Sequence, residues 1–536
     1  MLLFRLKTSK NFKPAIAVLI VIILIGAGIY AYTAYQPKEE KTEEITKEPY
    51  DKVGPDVLQS VYLTIHRIRK KGIIDHMENA GLFPNIFKNI KNQRISDFLE
   101  GMRPGIGWDE KPTFSYVATL YDYTETGRDI YKDWDTGYIN QVIWRKVEDE
   151  QLTADVDLTI IEHQTQKKLL RSITTKKEMD AFKVTYDFKT GRWSGDDSFN
   201  DTDGYGHYNG DNYEIWFTVS QNSEDGDVIP YWTEYNILGT DPEVDDTNLD
   251  PDGDGIPTVW EWKWGYDPLV YDNHSILDPD LDGLQNTEEY KMAKWLANPY
   301  HQEIYLEVDN MAQTPKKLFN RDGYDGWEHE FYFESQQMLI DRFAQHNIAV
   351  HIDDGRMGEG GETLPFGRGN NAYEQDSGVV AGFYKNNFND ERKGIFRYVV
   401  VAYGGGWCHP QDEKHWYDCM TVPHNQNFFK NQLSGALSDR TIRIGQAIQV
   451  MHELGHSLGF LYAHTPGVDN TSLRHPDVKD YPWFDYKSCM NYDYFMQRLF
   501  DYSDGTNGPN DTDDWSAVDL TFFQRSSPEM EGLGAL

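Results

Sequence analysis

Residues 450–460 read VMHELGHSLGF. His452 and His456 are four residues apart, so on a helix both imidazoles leave one face, one turn apart. Zinc takes imidazole nitrogen at about 2.0–2.1 Å, and a catalytic zinc site has three protein ligands and a place for water. Glu453 adjoins the first of these ligands, where it can accept a proton from water that the metal has acidified. With a carbonyl polarised by the same ion, such parts hydrolyse a peptide bond. The spacing also occurs on exposed charged helices, so its surroundings decide. Gly459 stands where a helix can stop and let the chain turn back, and SCMNY at 488–492 supplies Met490 and, two residues on, Tyr492.

A second chemistry is written at 250–261 and 278–289, DPDGDGIPTVWE and DPDLDGLQNTEE. Asp250, Asp252 and Asp254 take positions one, three and five of a 12-residue loop, with Gly255 at six and Glu261 at twelve. Asp278, Asp280, Asp282, Gly283 and Glu289 repeat that register. Calcium wants six to eight oxygens, and alternate acids in a tight loop converge theirs. A glycine at six permits the turn, and the backbone carbonyl at seven (Ile256, Leu284) and the acid at twelve complete the shell. The loops belong to an internal repeat over 222–299. Ile229, Ile256 and Leu284 recur at intervals of 27 and 28 residues, each followed five residues later by Glu234, Glu261 or Glu289. The first unit keeps Asp225, Asp227 and Glu234 but has Ser223 at one and Val228 at six, so it reads as degenerate.

HExxHxxG followed by Met-x-Tyr resembles the metzincin clan of zinc endopeptidases, over about residues 301–527 in element order. That resemblance implies a turn at Met490 beneath the metal, with Tyr492 near the metal or the oxyanion. It places the third zinc ligand three residues after Gly459, where this chain has Tyr462. His464, two residues later, is favoured instead, because a loop can absorb two residues and imidazole suits zinc; Asp469, in the PGVDN turn, is the alternative. The acidic units resemble thrombospondin type 3-like repeats, which implies a stiff, calcium-stabilised spacer.

The elements that must hold these sites follow from patterning. Residues 56–100 show helical spacing in Val57, Leu58, Val61, Ile65 and Ile68, and 113–220 alternate with period two, as in a small β-sandwich or barrel. From residue 301 strands and helices interleave, an α/β domain. The uncharged run at 15–34, with Arg5, Lys7, Lys10 and Lys13 before it and Glu39, Glu40, Glu43 and Glu44 after it, predicts a transmembrane helix with the N-terminus cytoplasmic. The expected fold class is therefore multidomain. A cytoplasmic stub and anchor (1–35) precede a linker and helical segment (36–110) and a β-rich domain (111–221). Calcium-loop repeats (222–299) and an α/β (α+β) metzincin-like catalytic domain (300–536) follow.

Lys and Arg total 51 against 87 Asp and Glu, a net charge of −36, which excludes nucleic acid as a partner because phosphate neutralisation needs clustered cations. Of three cysteines, Cys408 and Cys419 share a polar loop, and whether they close a small disulfide depends on the redox compartment, which the sequence leaves open. The expected function is a membrane-anchored, extracytoplasmic zinc endopeptidase acting on protein or peptide, with Zn2+ and Ca2+ as cofactors. The alternative is a calcium-dependent cell-surface adhesion protein with an inactive protease-like domain.

Overall fold

Alternating β-branched and aromatic residues make the first half of the chain a succession of strands. The computed structural model describes residues 59–75 and 111–525, apart from 128, 149–150, 169–170, 199–203, 224, 314–328, 359, 366–376, 403–406, 410–416, 424–438 and 473–481. In chain order come β1 (Ser60–Lys70), β2 (Thr113–Leu120), β3 (Tyr123–Thr126), β4 (Tyr131–Lys132) and β5 (Gln141–Lys146). β6 (Thr153–Lys168), β7 (Arg171–Asp187), β8 (Arg192–Gly195), β9 (Gly206–Asn209) and β10 (Tyr213–Gln221) follow. One sheet runs β5-β1-β10-β9; the other runs β3-β2-β6-β7-β8, with β4 beside β2. Val61, Leu63, Ile65, Ile215 and Phe217 of the first share a core with Phe114, Leu158 and Phe182 of the second, which makes a sandwich.

Over Ser60–Lys70 the helix expected within 56–100 is instead β1, and only residues 73–75 among those described there are helical. Val61, Leu63 and Ile65 are buried in strict alternation, then a bulge between Ile65 and Arg67 shifts the parity and buries Ile68. Burial at 61, 65 and 68 imitates a helical stripe. Residues 76–110 lie outside the described residues.

The repeats form loops with short helices, among them α1 (Thr258–Lys263) and α2 (Asn286–Met292). Beyond them β11 (Glu303–Met311), β12 (Ala349–Asp353), β13 (Thr363–Leu364), β14 (Phe396–Ala402), β15 (Trp407–His409) and β16 (Cys419–Pro423) form a sheet of order β12-β11-β14-β16-β15, with β13 beside β11. Its pairings are parallel except that of β15 with β16. α3 (Phe333–Ala344) and α5 (Asp439–Ser457) cover one face, burying Leu306 and Val308 against Met338, Leu339 and Met451. Tyr305, Tyr398 and Val400 on the other face meet Leu284 and Met292 of the repeats and Tyr384 and Phe388 of α4 (Ser377–Asn386) or just after it. Side-chain alternation along β11 thus puts the zinc-type helix on one side of the sheet and the third acidic loop on the other.

Buried ion pairs fasten the sandwich to this sheet. Arg69 of β1 donates to Glu214 at 2.7 Å and to Asp341 of α3 at 3.3 Å, and is fully buried. Residues 51–536 accordingly form one compact unit instead of separate beads. The described chain is mostly β-sheet with few helices.

One expectation is corrected here. No helix among the described residues is long and apolar enough to cross a membrane. The longest, α5, carries Asp439, Arg440, Arg443 and Glu453, each costly in hydrocarbon. The run at 15–34 lies outside the described residues. The expected transmembrane anchor and the single-pass localisation built on it therefore find no support among the described residues. The disulfide is also absent. The β15–β16 register pairs Cys408 with Met420 and His409 with Cys419. Cys408 enters the core under α5 and Cys419 the core on the opposite face, and all three cysteines are free and buried.

Candidate metal centre

α5 places His452 and His456 on one face, their rings 5.1 Å apart and nearly perpendicular, both buried. Each ring is fixed through its Nδ1, which donates to the Cys489 carbonyl at 2.9 Å in His452 and to the Phe460 carbonyl at 2.8 Å in His456. With Nδ1 so committed, Nε2 is the ligand atom of both rings, the arrangement that orients metal-binding histidines.

The helix stops where the sequence says it should. Gly459 adopts φ 96, and the Phe460 backbone N–H donates back to the Gly455 carbonyl at 3.0 Å. Residues 461–468 then wind through successive turns, and the chain returns at Asp469, itself left-handed at φ 55. Its backbone N–H donates to the Met490 carbonyl at 2.9 Å, while the Tyr492 N–H donates to the Asn470 carbonyl at 3.0 Å. The strip 469–470 is thus laced to 490–492. Met490 is fully buried against Gly455, directly under the histidine face.

That lacing brings a carboxylate to the histidines. Asp469 Oδ1 lies 3.1 Å from His452 Nε2, and Oδ2 lies 3.6 Å from His456 Nε2. Donor atoms about 2.0–2.1 Å from one tetrahedral ion lie about 3.3–3.4 Å apart, so these separations bracket what zinc needs. His452, His456 and Asp469 form a group able to hold one metal ion. His464 does not join it. It lies exposed in the first turn after the helix, its backbone bonded to Leu461. Two inserted residues lengthen the turn without bringing that imidazole back, and the carboxylate at the far end of the loop takes the place favoured for it.

Glu453 is buried, and that burial pushes its carboxyl up to about 7; His452 and His456 pull down and Asp469 pushes up. His456 loses charge stability by burial, but the bond to Asp469 outweighs this and raises it to about 9, while the two histidines hold Asp469 well below the carboxylate range against its own burial. The Tyr492 ring stacks on His452 at 5.4 Å and 20°.

The acidic loops converge as their register requires. Asp250 Oδ2 accepts from the Gly255 N–H at 3.0 Å, and Asp278 Oδ2 accepts from the Gly283 N–H at 3.0 Å. Asp250, Asp252 and Asp254 form one potential metal-binding group, and Asp278, Asp280 and Asp282 another. Ile256 and Leu284 bury their side chains and donate their N–H to Asp254 and Asp282. Glu289 is fully buried with neither carboxylate oxygen hydrogen-bonded, and Asp252, Asp280 and Glu261 each bury one such oxygen. Burial and mutual repulsion raise Asp280, Asp282 and Glu289. Oxygens so placed fit a hard cation.

Two residues not singled out in the sequence belong to these loops. His274 Nε2 lies 3.2 Å from Asp254 and 3.4 Å from Glu261, and the Glu303 backbone N–H donates to Asp282 at 2.9 Å. The only signal was positional, a polar residue about 20 positions beyond the fifth loop residue.

No protein-family model matches the chain, and no curated protein matches it. One solved structure it is matched to is human GIVD cytosolic phospholipase A2 in complex with methyl gamma-linolenyl fluorophosphonate. The match has 9% identity and a TM-score of 0.16, and it covers 32% of this chain and 18% of that one. Similarity that slight carries no argument about fold or activity.

Proposed function

We propose that the chain is a zinc-dependent endopeptidase, with calcium held in the loops at 250–261 and 278–289. The observation that carries this is the convergence of His452 Nε2, His456 Nε2 and the Asp469 carboxylate beside the buried Glu453. Two imidazoles and a carboxylate are a donor set that suits zinc and leaves room for water. Zinc bound there supplies a Lewis acid that polarises a carbonyl and acidifies water.

The chain's own residues do the rest. The Cys489 and Phe460 carbonyls hold both rings in the ligating tautomer. Glu453 takes the proton from water as its oxygen attacks the peptide carbonyl, then delivers that proton to the amine nitrogen as the C–N bond breaks. Tyr492, stacked on His452, holds the ring and brings a hydroxyl to the same neighbourhood as a donor for the oxyanion.

Zinc content and cleavage of a denatured protein, measured on the full chain and two variants, test this. Asp469→Ala loses zinc and activity, and His464→Ala keeps both. Zinc lost from His464→Ala but not from Asp469→Ala overturns the ligand set. A parent that binds zinc but leaves protein uncut favours a calcium-binding, non-enzymatic reading.

A further inference from the structure

The first acidic loop lacks the aspartate and the glycine that its neighbours have at positions one and six, yet its remaining acids still converge. Asp225, Asp227 and Glu234 bring ligand atoms within 4.8 Å of one another. Gly226 keeps the left-handed backbone at position four, φ 97, as Gly253 and Leu281 do in the other loops. Ser223 carries no charge, and its hydroxyl donates to the Asp227 backbone carbonyl at 2.7 Å. Glu234 is 1% exposed, with the Thr240 hydroxyl at 3.4 Å from one of its oxygens.

The next unit brings a further acid, Asp246, against this loop. The Asp246 backbone N–H donates to Asp227 Oδ2 at 3.1 Å. Its side chain is only 3% exposed, and its Oδ2 has no hydrogen-bond partner among the described residues; the same is true of Asp225 Oδ2. Asp225, Asp227, Glu234 and Asp246 bring the loop to four acids, as many as Asp250, Asp252, Asp254 and Glu261 or Asp278, Asp280, Asp282 and Glu289 supply. The crossing contact is general to the array, since Asp254 accepts from the Asp272 N–H at 3.2 Å and Asp282 from the Glu303 N–H at 2.9 Å. Burial, then repulsion from neighbours that include Asp246, pushes Asp227 up to about 6 and Glu234 to about 9. Four carboxylates withdrawn from water repel one another unless protons or a cation neutralise them.

We propose that the loop from Ser223 to Glu234 is a third calcium site, completed across the repeat boundary by the carboxylate of Asp246. Calcium is the matching ion because every side chain offered is a hard oxygen donor. Closure from the next unit makes that ion a staple between successive repeats. The inference is independent of the peptidase reading.

Calcium bound per chain, measured by equilibrium dialysis on the full-length protein, tests it. The parent binds three ions, Asp227→Asn with Asp246→Asn binds two, and Asp252→Asn with Asp280→Asn binds one. Asp246→Asn alone keeps the shape and the backbone bond to Asp227, and weakens one binding step at least tenfold. Far-UV circular dichroism in saturating calcium confirms that each variant is folded. An unchanged count in the Asp227/Asp246 variant, or unchanged affinities in Asp246→Asn, overturns the site even where the other two loops bind as expected.

Discussion

Calcium removal should destabilise this protein, and more so as the pH rises. In the third loop Asp278, Asp280, Asp282 and Glu289 crowd together, and burial raises three of them above the ordinary carboxylate value of about 4. A carboxyl with a raised folded-state pKa binds a proton that the unfolded chain has released. Without calcium, that stabilisation is full below about pH 4 and is lost as pH rises from there through the raised pKa values. Calcium takes the place of those protons, so its own contribution grows with pH. At 100 times its dissociation constant each ion stabilises the fold by about 2.7 kcal/mol, or about 5 kcal/mol for the loops at 250–261 and 278–289. Unfolding entropy of about 2.1 cal/mol/K per residue over the roughly 490 residues from 51 to 536 gives about 1 kcal/mol/K. The melting temperature should therefore fall by about 8 °C in EGTA at pH 8, about 5 °C of it from these two loops and the rest from the site at 223–234, and by less at pH 5.5. Differential scanning calorimetry at both pH values, with and without calcium, reads this directly. A calcium effect that is absent at pH 8, or larger at pH 5.5, refutes the reasoning.

Gly455→Ala puts a methyl onto the Met490 sulfur beneath the histidine face. It should cost about 1–3 kcal/mol and lower zinc affinity, and parental melting together with parental zinc content would contradict the packing described. Arg69→Leu leaves Glu214 and Asp341 buried without their cation, at a cost of about 3–5 kcal/mol. Urea unfolding measures it, and a cost under 1 kcal/mol would mean that this buried pair does not fasten β1 to α3.

What the sequence revealed was chemistry fixed by short spacing. Two histidines a helical turn apart and acids at alternate loop positions need only local geometry, and both converge in the structure. What it hid depends on where the chain returns. Asp469 reaches the histidines through a left-handed residue and backbone bonds to Met490, neither of which spacing shows, and His464 carried the more zinc-like side chain. Asp246 and His274 approach acidic loops from the following unit, so a search confined to 12 residues misses them. In β1 the bulge after Ile65 converted an alternating pattern into an apparent helical one. The strands within 113–220 were legible, because long alternating runs have few other solutions.

The central claim is that Glu453 moves the proton at a zinc held by His452, His456 and Asp469. Glu453→Gln keeps nearly the same shape and leaves every ligand in place, so it separates metal binding from proton transfer. The decisive measurement is the rate at which the zinc-loaded full chain cleaves a denatured protein, with and without this substitution, normalised to bound zinc. The account predicts about one zinc per chain in both proteins and a rate lower by about 10²–10⁴ in Glu453→Gln. Equal rates at equal zinc content would contradict it.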